Sequence, residues 1–188
     1  MLPDKETTRL SKLLSLVLRH DPAHLGLTLD EQGWVGVEEL LRQAQAHKIN
    51  LTHEMLLHIV DTSPKQRFRL SDDQQRIRAS QGHSVVVELG YAPAVPPAVL
   101  YHGTTARHQA QIMREGLQKM SRQQVHLSAD HATARQVGSR HGAPVVLRID
   151  AARMHAEGHA FYRADNGVWL TEEVPARYLQ LPDDAAAA

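Results

Sequence analysis

The sequence predicts a mixed α+β protein built as two lobes. Three observations carry that prediction. The segment Ala92-Pro93-Ala94-Val95-Pro96-Pro97 places three prolines in six residues near the middle of the 188-residue chain. Such a run excludes helix and disfavours a central strand. Before it, apolar residues recur mostly at helical spacing; after it, short strand-like runs dominate and only brief helical patterns intervene. That segregation points to an α+β layout rather than alternating βα units. The expected boundaries are a first lobe over 1–91, a linker over 92–97, a second lobe over 98–182 and a tail over 183–188. Pro182-Asp183-Asp184 and the alanines after it read as a frayed end. No internal repeat is present.

In the first lobe, Leu10, Leu13, Leu14, Val17 and Leu18 form a helical stripe. The helix should end around Arg19-His20, because Asp21 precedes Pro22 and is biased out of the α region. Leu27-Thr28-Leu29 and Gly33-Trp34-Val35 flank a polar turn and are expected to pair as a short hairpin. A second helix follows with Leu40, Leu41 and Ala44 on its apolar face. A third begins near Thr52, a fitting N-cap, and carries Met55, Leu56, Ile59 and Val60. Arg67-Phe68-Arg69-Leu70 and Arg76-Ile77-Arg78-Ala79 alternate around Ser71-Asp72-Asp73, a hairpin with its arginines on one face. Three helices closed by a hairpin predict a winged-helix arrangement.

The second lobe offers strands over Val99 to His102, Val125 to Leu127, Val145 to Ile149, Phe161-Tyr162, Val168 to Leu170 and Tyr178 to Leu181. Short helices are expected over Thr105 to Glu115, Ala132 to Val137 and Ala151 to His155.

Composition limits the function classes. Hydrophobic residues make up 42% and charged residues 22%, as in ordinary globular proteins. With no cysteine, disulfides, thiolate nucleophiles and Cys-based metal sites are excluded. Formal net charge is zero, so nucleic-acid contact would rest on local arginine clusters rather than a basic whole. The first residues show no signal-peptide pattern and no apolar run approaches membrane-spanning length. A cytoplasmic protein without membrane contact is the expectation.

The dinucleotide glycine fingerprint, the P-loop, the H-E-x-x-H pair and the G-x-S-x-G elbow are all absent. Thirteen histidines invite a metal reading. His20 and His24 are interrupted by Pro22, His155 and His159 flank Gly158, and no carboxylate completes either set; no metal is expected. Attention falls instead on Tyr101-His102-Gly103-Thr104 and Val125-His126-Leu127-Ser128. Each reads as a strand ending in a histidine beside small or hydroxyl residues, with backbone amides open to a ligand. Arg19-His20 joins a cation and a proton donor at a helix end, although such residues also simply offset the helix dipole there. Arg67 and Arg69 share a face and can fork onto phosphate oxygens, or can be a solvated hairpin face. Arg122 precedes the second histidine strand.

Taken in order, these stretches resemble the KptA family of NAD-dependent RNA 2′-phosphotransferases over nearly the whole chain. The likeness runs through Leu10-Ser11-Lys12-Leu13-Leu14, Leu18-Arg19-His20, Gly33-Trp34-Val35 and Arg67-Phe68. It continues through Ile77-Arg78-Ala79-Ser80-Gln81-Gly82-His83-Ser84, the two histidine stretches and Asn166-Gly167-Val168-Trp169-Leu170-Thr171. The resemblance implies a winged-helix lobe joined to an ADP-ribosyltransferase lobe that takes NAD as co-substrate. It implies that Arg19, His20, Arg67 and Arg122 form the catalytic set. His102, Gly103, Thr104, His126, Leu127, Ser128 and Val168 match the NAD side. The partner is RNA carrying a 2′-phosphate, and a monomer is the default. Val168 stands where protein-modifying relatives of that fold often carry glutamate, which argues against protein ADP-ribosylation. Gln124 departs from the histidine common in the family; it hydrogen-bonds but does not titrate.

The implied chemistry has two steps. The RNA 2′-phosphate attacks C1″ of the NAD ribose and nicotinamide leaves. The ribose 2″-hydroxyl then attacks phosphorus, releasing RNA with a 2′-hydroxyl and ADP-ribose 1″,2″-cyclic phosphate. Two other readings stand beside this: an ADP-ribosyltransferase that caps nucleic-acid 5′-phosphates, and a winged-helix DNA-binding regulator.

Overall fold

Helix α1 (Asp4–Arg19) buries Leu10, Leu14, Val17 and Leu18, the i, i+4, i+7, i+8 stripe of an amphipathic helix. The computed structural model to which it belongs describes residues 4–63 and 65–181, and the chain divides into two units, Met1–Gly90 and Tyr91–Ala188. The expected tail over 183–188 lies outside the described residues.

In the first unit, α1 stops before Pro22. Asp21 then caps a 3-10 turn, Pro22–Leu25, its carboxylate accepting from His24 N at 3.1 Å. Helices α2 (Val37–Ala46) and α3 (His53–Thr62) add Val37, Leu40, Ala44, Leu56 and Ile59 to the core. Thr52 caps α3 as its sequence position predicts, its hydroxyl accepting from Met55 N at 3.2 Å. Strands β1 (Val35–Gly36), β2 (Phe68–Leu70) and β3 (Arg76–Ala79) form an antiparallel sheet in the order β1-β3-β2. Val35 and Leu70 both face Ile77, so one buried residue knits the sheet to the helices.

Two expectations fail here. Leu27-Thr28-Leu29 is not a strand. The Asp30 carboxylate accepts from Gln32 N and Trp34 N at 2.9 and 2.8 Å, closing a turn by side chain, and Val35 pairs with Ile77 instead. Such Asx closure competes with ladder pairing. The hairpin arginines do share a face, Arg69 opposite Arg78, but that face is not all solvated. Arg78 is buried, with its guanidinium 4.6 Å from the Trp34 ring centroid and Nη1 donating to Leu89 O at 3.1 Å. Arg76 stays exposed on the same ring, at 5.3 Å.

In the second unit the strands are β4 (Val99–Thr105), β5 (Val125–Leu127), β6 (Pro144–Asp150), β7 (Tyr162–Arg163), β8 (Trp169–Thr171) and β9 (Leu179–Gln180). They form two antiparallel sheets, ordered β4-β6-β9 and β5-β8-β7. Leu100, Leu127, Ile149 and Trp169 bring both sheets into one core with Phe161, Val174 and Tyr178. Helices α4 (Ala106–Glu115), α5 (His131–Gly138) and α6 (Ala151–Ala156) match the expected helices to within a residue or so. The segment expected as a linker is hydrogen-bonded into this unit: Pro93 bridges Tyr162, and Ala94 N donates to Phe161 O at 2.8 Å. The whole is a mixed α+β chain with small antiparallel sheets.

His102 is not at a strand end. β4 continues through Gly103 and Thr104 to Thr105, paired residue for residue with β6. Glycine is required in it for packing: a Cβ on Gly103 would lie 1.7 Å from Ala134 O and 2.8 Å from Gly138 N in α5. The close approach that the sequence assigned to a ligand is, for this Cα, an approach to a helix backbone.

Candidate functional site

Two groups of polar side chains stand out, one in each unit. In the second unit, β4 and β5 belong to different sheets but are joined by a bridge. Tyr101 N donates to Ser128 O at 2.9 Å, and Ser128 N to Tyr101 O at 2.8 Å. That bridge lays His102 beside the β5 backbone, where Nδ1 bonds to His126 O at 3.1 Å. A carbonyl only accepts, so Nδ1 carries the proton. Burial holds the His102 ring below the usual histidine range; the bond to His126 O works against that shift and the Arg122 charge adds to it. The ring is therefore neutral at pH 7, and its Nε2 offers a lone pair.

His126 has the opposite polarity. Arg122 Nη1 lies 2.8 Å from His126 Nδ1. A guanidinium only donates, so Nδ1 must accept and the neutral ring keeps its proton on Nε2. The two rings thus hold opposite tautomers. Both line a cavity of about 430 Å³, together with Thr104, Lys119, Arg122 and Gln124. Ile112, Leu117 and Val125 give it an apolar wall. Size and lining are those of a small-molecule site. Leu127 is buried in the core between these residues, and Ser128 supplies the bridge. Val168 lies just outside the β5–β8 pairing that begins at Leu127–Trp169, its amide donating to Asn166 Oδ1 at 3.3 Å.

In the first unit, Arg19 and His20 end α1 and are gripped by the chain that follows β3. Arg19 Nε donates to Gln81 O at 2.6 Å, Ser84 N donates to Arg19 O at 2.9 Å, and His20 Nδ1 lies 2.9 Å from Ser84 Oγ. Gly82, at φ +86°, lies flat against the guanidinium; a Cβ there would be 2.4 Å from Arg19 Nη2. One residue earlier, Ser80 N donates to Arg67 O at 2.9 Å and Ser80 Oγ to Gln66 O at 2.8 Å. Arg67 and Arg19 are thereby tied to consecutive residues, Ser80 and Gln81. The half-buried Arg67 guanidinium has no hydrogen-bond or ion-pair partner among the described residues. One stretch of chain thus holds the Arg67 backbone and the Arg19 and His20 side chains, and a guanidinium with no carboxylate bond suits a phosphate group.

His83 sits between these contacts and was not assigned a part from sequence. It is 2% exposed, and neither ring nitrogen has a hydrogen-bond partner among the described residues. Burial lowers its pKa to about 4, helped by the charges of Arg19, His20 and Arg78. The unfolded chain, titrating near 6.5, binds this proton more readily than the folded one. Stability from this site is therefore fully present above pH 6.5 and lost as pH falls through 4. The loss amounts to about 3 kcal/mol. Urea unfolding at neutral and acid pH should show His83→Leu losing less stability on acidification than wild type, by about that amount.

Among the described residues, no group of three or more His, Cys, Asp or Glu side chains is placed to hold a metal ion, and no helix is long and apolar enough to cross a membrane. Comparison with known proteins defines the class. The sequence model of the "RNA 2'-phosphotransferase, Tpt1 / KptA family" matches residues 5–173. The chain is 54% identical over 181 residues to the "Probable RNA 2'-phosphotransferase" of Agrobacterium fabrum (strain C58), covering 96% of this chain and 97% of that protein. The protein of that name from Rhodopirellula baltica is 53% identical over 183 residues, covering 97% of this chain and all of that one. The one from Streptomyces coelicolor is 51% identical over 181 residues, covering 96% and 98%. The chain thus belongs to a class of phosphate-transferring enzymes. The chain is a member of the RNA 2′-phosphotransferase, Tpt1 / KptA family.

Proposed function

We propose that this chain is an NAD-dependent RNA 2′-phosphotransferase, built as a winged-helix lobe followed by an ADP-ribosyltransferase-like lobe. The observation that carries the reading is the family match over residues 5–173, which spans both groups of side chains. The order α1-β1-α2-α3-β2-β3 supports the first lobe. The second-unit cavity supports NAD as the co-substrate: it sets two histidines of opposite tautomer, His102 and His126, against an apolar wall. Ribose hydroxyls both donate and accept, and a nicotinamide ring suits the apolar surface.

In the first step a 2′-phosphate oxygen forms a bond to C1″ as the C1″–N bond breaks, and nicotinamide leaves with the electron pair. The attacking oxygen is already anionic, so no general base is required, consistent with an apolar residue at Val168. In the second step the 2″-hydroxyl oxygen attacks phosphorus and the bond to the RNA 2′-oxygen breaks. Arg19, Arg67 and Arg122 balance the charge on the phosphate oxygens. His20 gives a proton to the departing RNA oxygen, and the 2″-hydroxyl proton is released. Gln124, which lines the cavity, can hydrogen-bond there but does not titrate.

A short RNA carrying one internal 2′-phosphate tests the reading. With NAD, nicotinamide release should match loss of the RNA phosphate. In His20→Ala nicotinamide should still be released while ADP-ribosylated RNA accumulates. A variant that stops before nicotinamide release contradicts the role given to His20.

A further inference from the structure

We infer that Ser84 is a positioning residue for His20, and that the turn Gln81–Ser84 is the element that orients the Arg19–His20 pair. The inference rests on the function proposed above and deepens it. The last carbonyls of a helix lack intrahelical donors. At the end of α1, the Arg19 carbonyl is met by Ser84 N at 2.9 Å and Val85 N at 3.4 Å. The same short stretch takes hold of both functional side chains: Gln81 O accepts from Arg19 Nε, and Ser84 Oγ meets His20 Nδ1. Between them, Gly82 has the left-handed φ and the missing Cβ that let the guanidinium lie flat. Buried His83 anchors the turn, packing within 3.3 Å of where a Gly33 Cβ would lie.

The bond at His20 Nδ1 bears on proton transfer. A serine hydroxyl accepts from Nδ1–H whether the ring is imidazolium or neutral. With Nδ1–H held in both states, the exchanged proton is the one on Nε2. The ring keeps one orientation through the cycle, as positioning partners of catalytic histidines do. Among the charged groups around this turn, His83 lies close enough to His20 for their charges to interact. His83, whose ring nitrogens meet no hydrogen-bond partner among the described residues, is not that acceptor.

The test compares wild type, Ser84→Ala and Ser84→Thr on 2′-phosphorylated RNA with NAD. Ser84 is exposed, so its truncation leaves the core intact, and thermal melting checks this. In Ser84→Ala, kcat should fall about tenfold, the rate equivalent of one net hydrogen bond. KM for both substrates should stay put, ADP-ribosylated RNA should build up, and the acid limb of the kcat profile should move. Ser84→Thr should restore wild-type behaviour. An Ala variant with unchanged kcat and pH profile overturns the inference, as does a Thr variant no better than Ala. Wild-type enzyme that transfers no phosphate with NAD would instead sink the function on which the inference rests.

Discussion

Gly103→Ala should cost the second unit about 3–5 kcal/mol, or prevent its folding, although it adds one methyl group. The added Cβ would lie 1.7 Å from Ala134 O, 2.7 Å from Ala134 C and 2.8 Å from Gly138 N. All three are backbone atoms of α5, so no rotamer change relieves the clash. The facing position has no slack either, because a Cβ on Gly138 would meet Thr104 O at 2.7 Å. Two glycines thus let α5 and β4 approach backbone to backbone. Moving α5 away would drag on the strand that holds His102, so any folded fraction should also bind NAD poorly. Gly158→Ala is the control: nothing lies within 4 Å of its Cβ, and only its φ of +98° opposes the change. It should cost about 1 kcal/mol. Urea unfolding of both variants measures the difference, and equal costs would contradict the packing account.

Arg19→Ala should lower the rate of phosphate transfer by about 10²–10³, the range for removing one fixed charge-stabilising donor. Arg19→Lys should recover only part of it. A lysine has no Nε–H to give Gln81 O while keeping a fork of donors toward an anion. Gly82→Ala offers a second route to the same loss without touching the cation. Its Cβ would fall 2.4 Å from Nη2, the movable end of the side chain, so the guanidinium yields rather than the backbone. Steady-state rates with saturating NAD and RNA, paired with melting curves, separate this from unfolding. A lysine variant within twofold of wild type would show that charge alone matters at this position.

Much of the fold is legible in the sequence where local chemistry decides. The α1 stripe, the Thr52 cap and the arginine-studded hairpin are signals contained within a few residues. The misread elements are those whose partner is remote. Leu27-Thr28-Leu29 alternates like a strand, but the Asp30 carboxylate closes the turn and Val35 takes Ile77, forty-two positions on. Gly103-Thr104 carries the signature of a strand end, yet β6 and α5 together carry it on as strand. Arg78 looks solvated until Trp34 and the Leu89 carbonyl enclose it.

At the candidate site, the sequence offers residues but not their connections. The Arg122–His126 bond joins residues four apart outside any helix, so no periodicity announces it. Ser84 lies 64 positions from His20, in a Gln-Gly-His-Ser run noticed only as part of a resemblance. Gly82, at positive φ beside an arginine, is the clue such a run contains: a backbone that must pass close to something flat.

The central claim is transfer of the phosphate to NAD-derived ribose rather than its hydrolysis. Following an isotopically labelled internal 2′-phosphate through one turnover with NAD tests it most directly. The account predicts that the label leaves as ADP-ribose 1″,2″-cyclic phosphate, with one nicotinamide per label and none without NAD. Label recovered as inorganic phosphate, or released in the absence of NAD, would contradict it.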